Sequence, residues 1–220
     1  KRHVLYGSIE RKETMKIVFL GDSVTDAGRD RSDITSLGDG YVLYATQLIK
    51  EKYPDVDFEF VNLGLSGYRT ENTLKDWQLI SEKGLKGADI VSIMLGINDT
   101  WHYLTQGKAE LNDEFEAGYR AIIDKVLFET NHAPLMILEH FLLPNKDKDY
   151  WRRDVDSKIQ VVRRIASSVA QKYVPVDGLI AAQFTDKEPA YFAADGVHPT
   201  TEGAQFIASL YLDGISPLID

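Results

Sequence analysis

Ser23 stands after Gly21-Asp22 at the end of a short apolar run, and His198 lies three residues after Asp195 near the other end of the chain. A serine hydroxyl is a weak nucleophile and needs an adjacent base, a role suited to the imidazole of His198. That ring needs an acceptor on its other nitrogen to hold its tautomer, and Asp195 can fold back toward it from a turn. Attack on a carbonyl creates an oxyanion that requires preorganised donors. Gly67 can offer a backbone N–H where a side chain would block close approach, Asn98 can offer a neutral amide, and the Ser23 N–H is a third donor. Together these are the parts of an acyl-transfer site, with Ser23, Asp195 and His198 as catalytic residues and Ser23, Gly67 and Asn98 as the oxyanion hole.

Each residue also has a plainer reading. Ser23 could cap a helix, Gly67 could serve a turn with positive φ, Asn98 could close an Asx-turn, and His198 could be a solvated loop residue before Pro199. Their joint presence at comparable positions in the chain favours chemistry. Asp22 reads as a helix-terminus residue rather than a catalytic acid, and Asp26 and Arg29 either pair with each other or shape the pocket. Trp101 and Tyr191 offer flat faces for a sugar ring, although core packing or a subunit contact would use them equally well. Candidate substrate contacts are therefore Asp22, Arg29, Trp101 and Tyr191. His102 and His140 lack a second ligand at metal spacing and read as structural, so no metal and no cofactor is expected. The runs Arg163-Arg164 and 145–149 read as solvated faces.

The elements that must position these residues follow from periodicity. Near-continuous apolar runs at 17–20, 58–62, 90–95, 135–139 and 173–176 predict strands covered on both faces. Between them, 40–52, 71–83, 112–130, 152–172 and 201–212 predict helices. In one of these, Val155, Ile159, Val162, Ile165 and Val169 recur at spacings of three and four and form one apolar stripe. Such alternation implies a mainly parallel, doubly wound α/β sheet, whose ligands bind beyond the carboxyl ends of the strands. Gly21-Asp22-Ser23, the segment Asn62–Gly67 and Gly96-Ile97-Asn98-Asp99 sit at three of those ends, and Asp195–His198 precedes the last helix. No Gly-x-Gly-x-x-Gly follows the first strand, which excludes a dinucleotide fingerprint. Thr25 replaces the second glycine of a Gly-x-Ser-x-Gly elbow.

Bulk properties narrow the setting. The 220 residues suit one domain at 15–220, with 1–14 as an N-terminal extension before Met15. Acids outnumber bases by 34 to 25, which argues against a nucleic-acid surface. No apolar run reaches the length of a membrane span. There is no cysteine, and no long apolar stretch precedes a small-residue cleavage site; these two features point to a cytoplasmic location.

The blocks Gly21-Asp22-Ser23, Gly67 within Asn62–Gly67, Gly96-Ile97-Asn98-Asp99 and Asp195-Gly196-Val197-His198 resemble the four blocks that define the SGNH (GDSL-type) hydrolases, in the same order. The resemblance spans residues 21–198. It implies a flavodoxin-like three-layer α/β/α sandwich with a mainly parallel five-stranded sheet, no metal, and hydrolysis of esters or thioesters through an acyl-serine. Four further segments (Gly21–Arg29, Leu37–Val42, Gly96–Trp101 and Arg152-Arg153) are similar to intracellular bacterial acetyl xylan esterases. That similarity implies deacetylation of carbohydrates such as xylo-oligosaccharides, in a protein that forms homo-oligomers. Ala194 departs from this subgroup, which can carry an aromatic before the catalytic Asp. A lysophospholipase or acyl-CoA thioesterase would use the same residues, and a non-catalytic flavodoxin-like binding module is the more distant alternative.

Overall fold

Burial on both faces is what makes the apolar runs into strands. In the computed structural model, which describes residues 14–106 and 112–220, β1 (Met15–Gly21), β2 (Phe58–Asn62), β3 (Ile90–Met94), β4 (Leu135–Leu138) and β5 (Lys172–Val174) pair in the order β2-β1-β3-β4-β5. All four pairings are parallel. The expected extension at 1–14 lies outside the described residues except for Thr14.

Side chains alternate between two cores along each strand. On β1, Ile17 and Phe19 join one cluster with α2 (Tyr41–Lys52) and the last helix, α10 (Thr201–Ile219). Val18 and Leu20 join the other, with α4 (Trp77–Ile80), α6 (Asn112–Glu129) and α7 (Arg152–Val169). The result is a three-layer α/β/α sandwich. The remaining helices are short: α1 (Ser23–Asp26), α3 (Thr70–Lys75), α5 (Ile97–Gln106), α8 (Val176–Ala181) and α9 (Pro189–Phe192). No helix among the described residues is long and apolar enough to cross a membrane.

Two helices depart from their sequence periodicity. The stretch read as one helix over 71–83 is broken: Asp76 leaves helical geometry between α3 and α4, and Gly84 turns at φ 154°. Burying Trp77 and Ile80 against the sheet requires that break. In contrast, α10 runs seven residues past its expected end at 212, through Gly214 and Pro217. Gly214 lies so close to β5 that a Cβ there would sit 2.7 Å from Val174 Cγ2, and Lys52 of α2 donates to the Ser216 hydroxyl. Tertiary packing overrides two local helix breakers.

The chain leaves β1 toward β2 on one side, and β3 lies on the other. The crevice between the carboxyl ends of β1 and β3 is therefore a topological switch point, the place where such sheets bind ligands. Ser23 and Asn98, in the first turns of the helices that follow β1 and β3, border it. Phe19, fully buried on β1, stacks on Tyr211 of α10 at 4.9 Å and also meets Tyr41 and Phe60. Phe19→Ala is expected to lower stability by about 3–5 kcal/mol, read as a lower urea midpoint with an unchanged slope.

Candidate active site

β1 ends where the chain must turn sharply into α1. A Cβ on Gly21 would lie 2.1 Å from Thr25 Oγ1, so only glycine admits this turn. Asp22 caps the helix by accepting from the Val24 N–H at 3.0 Å, and Ser23 becomes the first helical residue. Its Oγ lies 3.0 Å from His198 Nε2. His198 Nδ1 lies 2.8 Å from Asp195 Oδ2, while Asp195 Oδ1 accepts the N–H groups of Val197 and His198 at 2.9 and 2.8 Å. An ionised carboxylate only accepts, so Nδ1 carries the ring proton and Nε2 is left to accept from Ser23. Partial burial works to raise the Asp195 pKa, but the hydrogen bonds from His198 and Val197 prevail and hold it below the ordinary carboxylate value. Asp195 thus remains an anion beside the imidazole across the neutral range.

The opposite wall is built by the loops after β2 and β3. Asn62, fully buried at the end of β2, donates to the carbonyls of Thr25 and Leu37 and accepts from the Gly64 N–H. A Cβ on Gly64 would meet the Asp26 nitrogen at 2.3 Å, so the first two strand-end loops are in backbone contact. Arg29 donates twice to the Gly64 carbonyl and pairs with Asp26, which in turn accepts from both the amide and the hydroxyl of Ser66. These bonds hold the turn that presents Gly67. Gly67 adopts φ +80°, and a Cβ there would touch no protein atom. Glycine therefore suits the positive-φ turn that is one of its two sequence readings. Asn98, 3 % exposed, gives one amide hydrogen to the Tyr68 carbonyl at 3.2 Å, which leaves its second donor available. Asp99 anchors the start of α3 through the N–H and hydroxyl of Thr70. The buried ring of His140 packs against Gly96, where a Cβ would lie 2.5 Å from Nδ1.

Ser23, Gly67, Asn98 and His198 all border one cavity of about 830 Å³, together with Tyr41, Trp101, Thr200 and Thr201. Asp195 orients His198 from behind. Of the four candidate substrate contacts, Trp101 lines the cavity, with its ring 6.4 Å from that of His198. Asp22 and Arg29 lie buried behind the wall, their polar groups engaged by Val24, Asp26 and Gly64, and Tyr191 stands outside the lining, packed edge-on against Phe192. His102, read as structural, borders the cavity one position beyond Trp101, as does Asp39. Two runs read as solvated faces carry structural bonds instead: Arg163 pairs with the fully buried Glu139, and Asn145 and Lys148 hold the loop that bears Asp195. None of these long-range partners has a local sequence signal.

Burial pushes the Asp22 carboxyl up to about 6, against the opposing pull of the Val24 N–H and the nearby His198. A carboxyl whose folded pKa is raised contributes stability that is complete below the unfolded value of about 4 and is lost as pH rises through about 6. Asp22→Asn keeps an acceptor for Val24 and removes the ionisation. Its stability relative to wild type is expected to improve by roughly 2–3 kcal/mol between pH 4 and pH 7, measured as the change in the difference of urea midpoints.

Comparison with known proteins places the chain among catalysts of this architecture. The GDSL-like lipase/acylhydrolase family matches residues 19–206. An acetylxylan esterase from Geobacillus stearothermophilus is 31 % identical over 209 residues, spanning 90 % of this chain and 92 % of its own. The crystal structure of an acetylxylan esterase from the same organism superposes with a TM-score of 0.79 at 29 % identity, covering 90 % and 93 % of the two chains. A GDSL-like lipase from Parabacteroides merdae superposes with a TM-score of 0.86 at 26 % identity over 96 % of this chain and all of the other. An alpha/beta hydrolase from the metagenome of Lake Arreo does so at 0.81 and 27 % identity, over 93 % and 96 %. With a family match over most of its length and a curated esterase relative over 90 % of the chain, the protein belongs to the GDSL-like lipase/acylhydrolases and is a carboxylic ester hydrolase.

Proposed function

We propose that the protein removes acetyl groups from acylated carbohydrates, such as xylo-oligosaccharides, through an acetyl-Ser23 intermediate. The observation that carries this reading is the unbroken Asp195–His198–Ser23 hydrogen-bond chain opening into a cavity bordered by Trp101. The similarity to an acetylxylan esterase over most of both chains supports the choice of acyl group and acceptor.

In this mechanism His198 Nε2 takes the proton of the Ser23 hydroxyl as Oγ attacks the ester carbonyl. The carbonyl oxygen becomes an oxyanion facing the N–H groups of Ser23 and Gly67 and the free amide hydrogen of Asn98. Fixed donors stabilise that charge without reorganising, which is the largest single contribution such a site makes. The protonated imidazole, stabilised by Asp195, returns its proton to the departing sugar oxygen. Water then attacks the acetyl-serine with His198 again as base, releasing acetate and restoring the hydroxyl. Trp101, partly buried in the cavity lining, provides a flat apolar surface for the C–H face of a sugar.

Three experiments test this. A series of p-nitrophenyl esters from C2 to C12, run beside acetylated xylo-oligosaccharide, is expected to favour acetate and to release acetate from the sugar. Preference for long chains would instead assign lipid or thioester substrates to the same residues. Ser23→Ala is expected to abolish turnover with its thermal midpoint nearly unchanged; wild-type turnover in this variant would remove Ser23 from the mechanism. Asn98→Ala is expected to lower kcat by about 10²–10³ with a much smaller change in KM.

A further inference from the structure

The loop bearing Asp195 is held by an unusual set of bonds. Three consecutive carbonyl oxygens, of Ala194, Asp195 and Gly196, accept from one segment beyond β4: from Asn145 Nδ2 at 3.2 Å, Lys148 Nζ at 2.7 Å and the Leu143 N–H at 2.8 Å. The segment is itself closed by short bonds. The Lys148 N–H donates to the Asn145 carbonyl, the Trp151 N–H to the Lys148 carbonyl, and the Asn145 N–H to Asp149 Oδ1. Leu143 and Gly196 also approach so closely that a Cβ on Gly196 would lie 2.7 Å from the Leu143 carbonyl oxygen.

Lys148 differs from the other two donors because it carries charge. Its side chain is 15 % exposed, its ammonium lies over the Trp151 ring, and it stands 4.0 Å from Asp195 Oδ2. That oxygen is the one that faces His198 Nδ1. Among the described residues, Lys148 is the sole cation brought to residues 194–198 by a hydrogen bond or ion pair. The other titratable groups around the pair are Asp22, buried behind Ser23, Asp149 in the same segment as Lys148, and Asp39, Tyr41 and His102 on the cavity wall.

We propose that Lys148 is a positioning residue that sets the proton affinity of His198. This rests on the reading of His198 as the base. The ammonium shares Asp195 Oδ2 with the imidazole, so it draws on the negative charge that would otherwise favour protonation of the ring. It also lies within the screening length of about 8 Å at physiological salt, where it opposes a second positive charge directly. The bond from Lys148 to the Asp195 carbonyl fixes where the carboxylate stands.

The test compares wild type, Lys148→Met, Lys148→Gln and Lys148→Arg. For each, His198 is titrated by imidazole NMR, and kcat/KM for p-nitrophenyl acetate is measured against pH. Removing the charge is expected to raise the His198 midpoint and the acid limb together by about half a unit to one unit, and Lys148→Arg is expected to restore both. A merely structural role would lower the rate or the thermal midpoint without moving either titration, and that result in both neutral variants would overturn the proposal. The NMR titration does not depend on turnover, so failure of the charge effect is distinguished from failure of the esterase assignment, which Ser23→Ala reports separately.

Discussion

Everything in this molecule depends on the parallel direction of its sheet. Because all five strands run the same way, their carboxyl ends lie on one edge, and every loop leaving that edge starts from a buried, rigid base. Parallel strands need helical crossovers, and the crossovers cover both faces, so the strands are mostly apolar and the segments leaving them carry most of the polar groups. The reversal of winding between β1 and β3 separates two neighbouring loops and leaves a crevice between them. Ser23 and Asn98 face each other across that crevice for this topological reason, and helix α10 brings His198 to it from the last connection.

Loops alone would not hold these groups in place. The first two strand-end loops touch backbone to backbone at Gly64 and Asp26, and their remaining polar atoms are satisfied by one another through Asn62, Asp26, Arg29 and Ser66. Buried polar groups are tolerated when their partners are complete, and such networks specify a single geometry better than apolar contacts do. The turn at Gly67 and the amide of Asn98 are therefore held in place before any substrate arrives. The same logic applies behind His198, where three successive carbonyls are fixed by the segment beyond β4. Asp22 is the exception, since its burial opposes ionisation next to the nucleophile; it is retained as the cap that starts α1.

The elements differed in how far they could be read from local pattern. The five strands were legible because burial on both faces leaves a continuous apolar signature, and their observed limits differ from the expected ones by two residues or fewer. The helix α7 was legible because its stripe is unbroken. The segment 71–83 was not, because Asp76 breaks a periodicity that continues through it, and α5 was hidden beneath the motif Gly96–Asp99 at its start. Gly214 and Pro217 are helix breakers by propensity, yet contact with α2 and β5 carries α10 through both.

For the candidate site, residue identity and order along the chain already pointed to Ser23, His198, Asp195, Gly67 and Asn98, which the fold brings to one cavity or directly behind it. Chemistry limits which side chains can fill those roles, and that limit is local. Which charged residues support them was decided only by the tertiary structure. Arg29 turned inward to the Gly64 carbonyl, Tyr191 turned away from the cavity, and Lys148, within a run of alternating charge, reached Asp195. A charged side chain has the same local pattern whether it points to solvent or to a partner fifty residues away, since only burial and a distant acceptor distinguish the two. The sequence by itself thus determined which groups are candidates for the chemistry, and the packing of loops from separate strands decided what orients them.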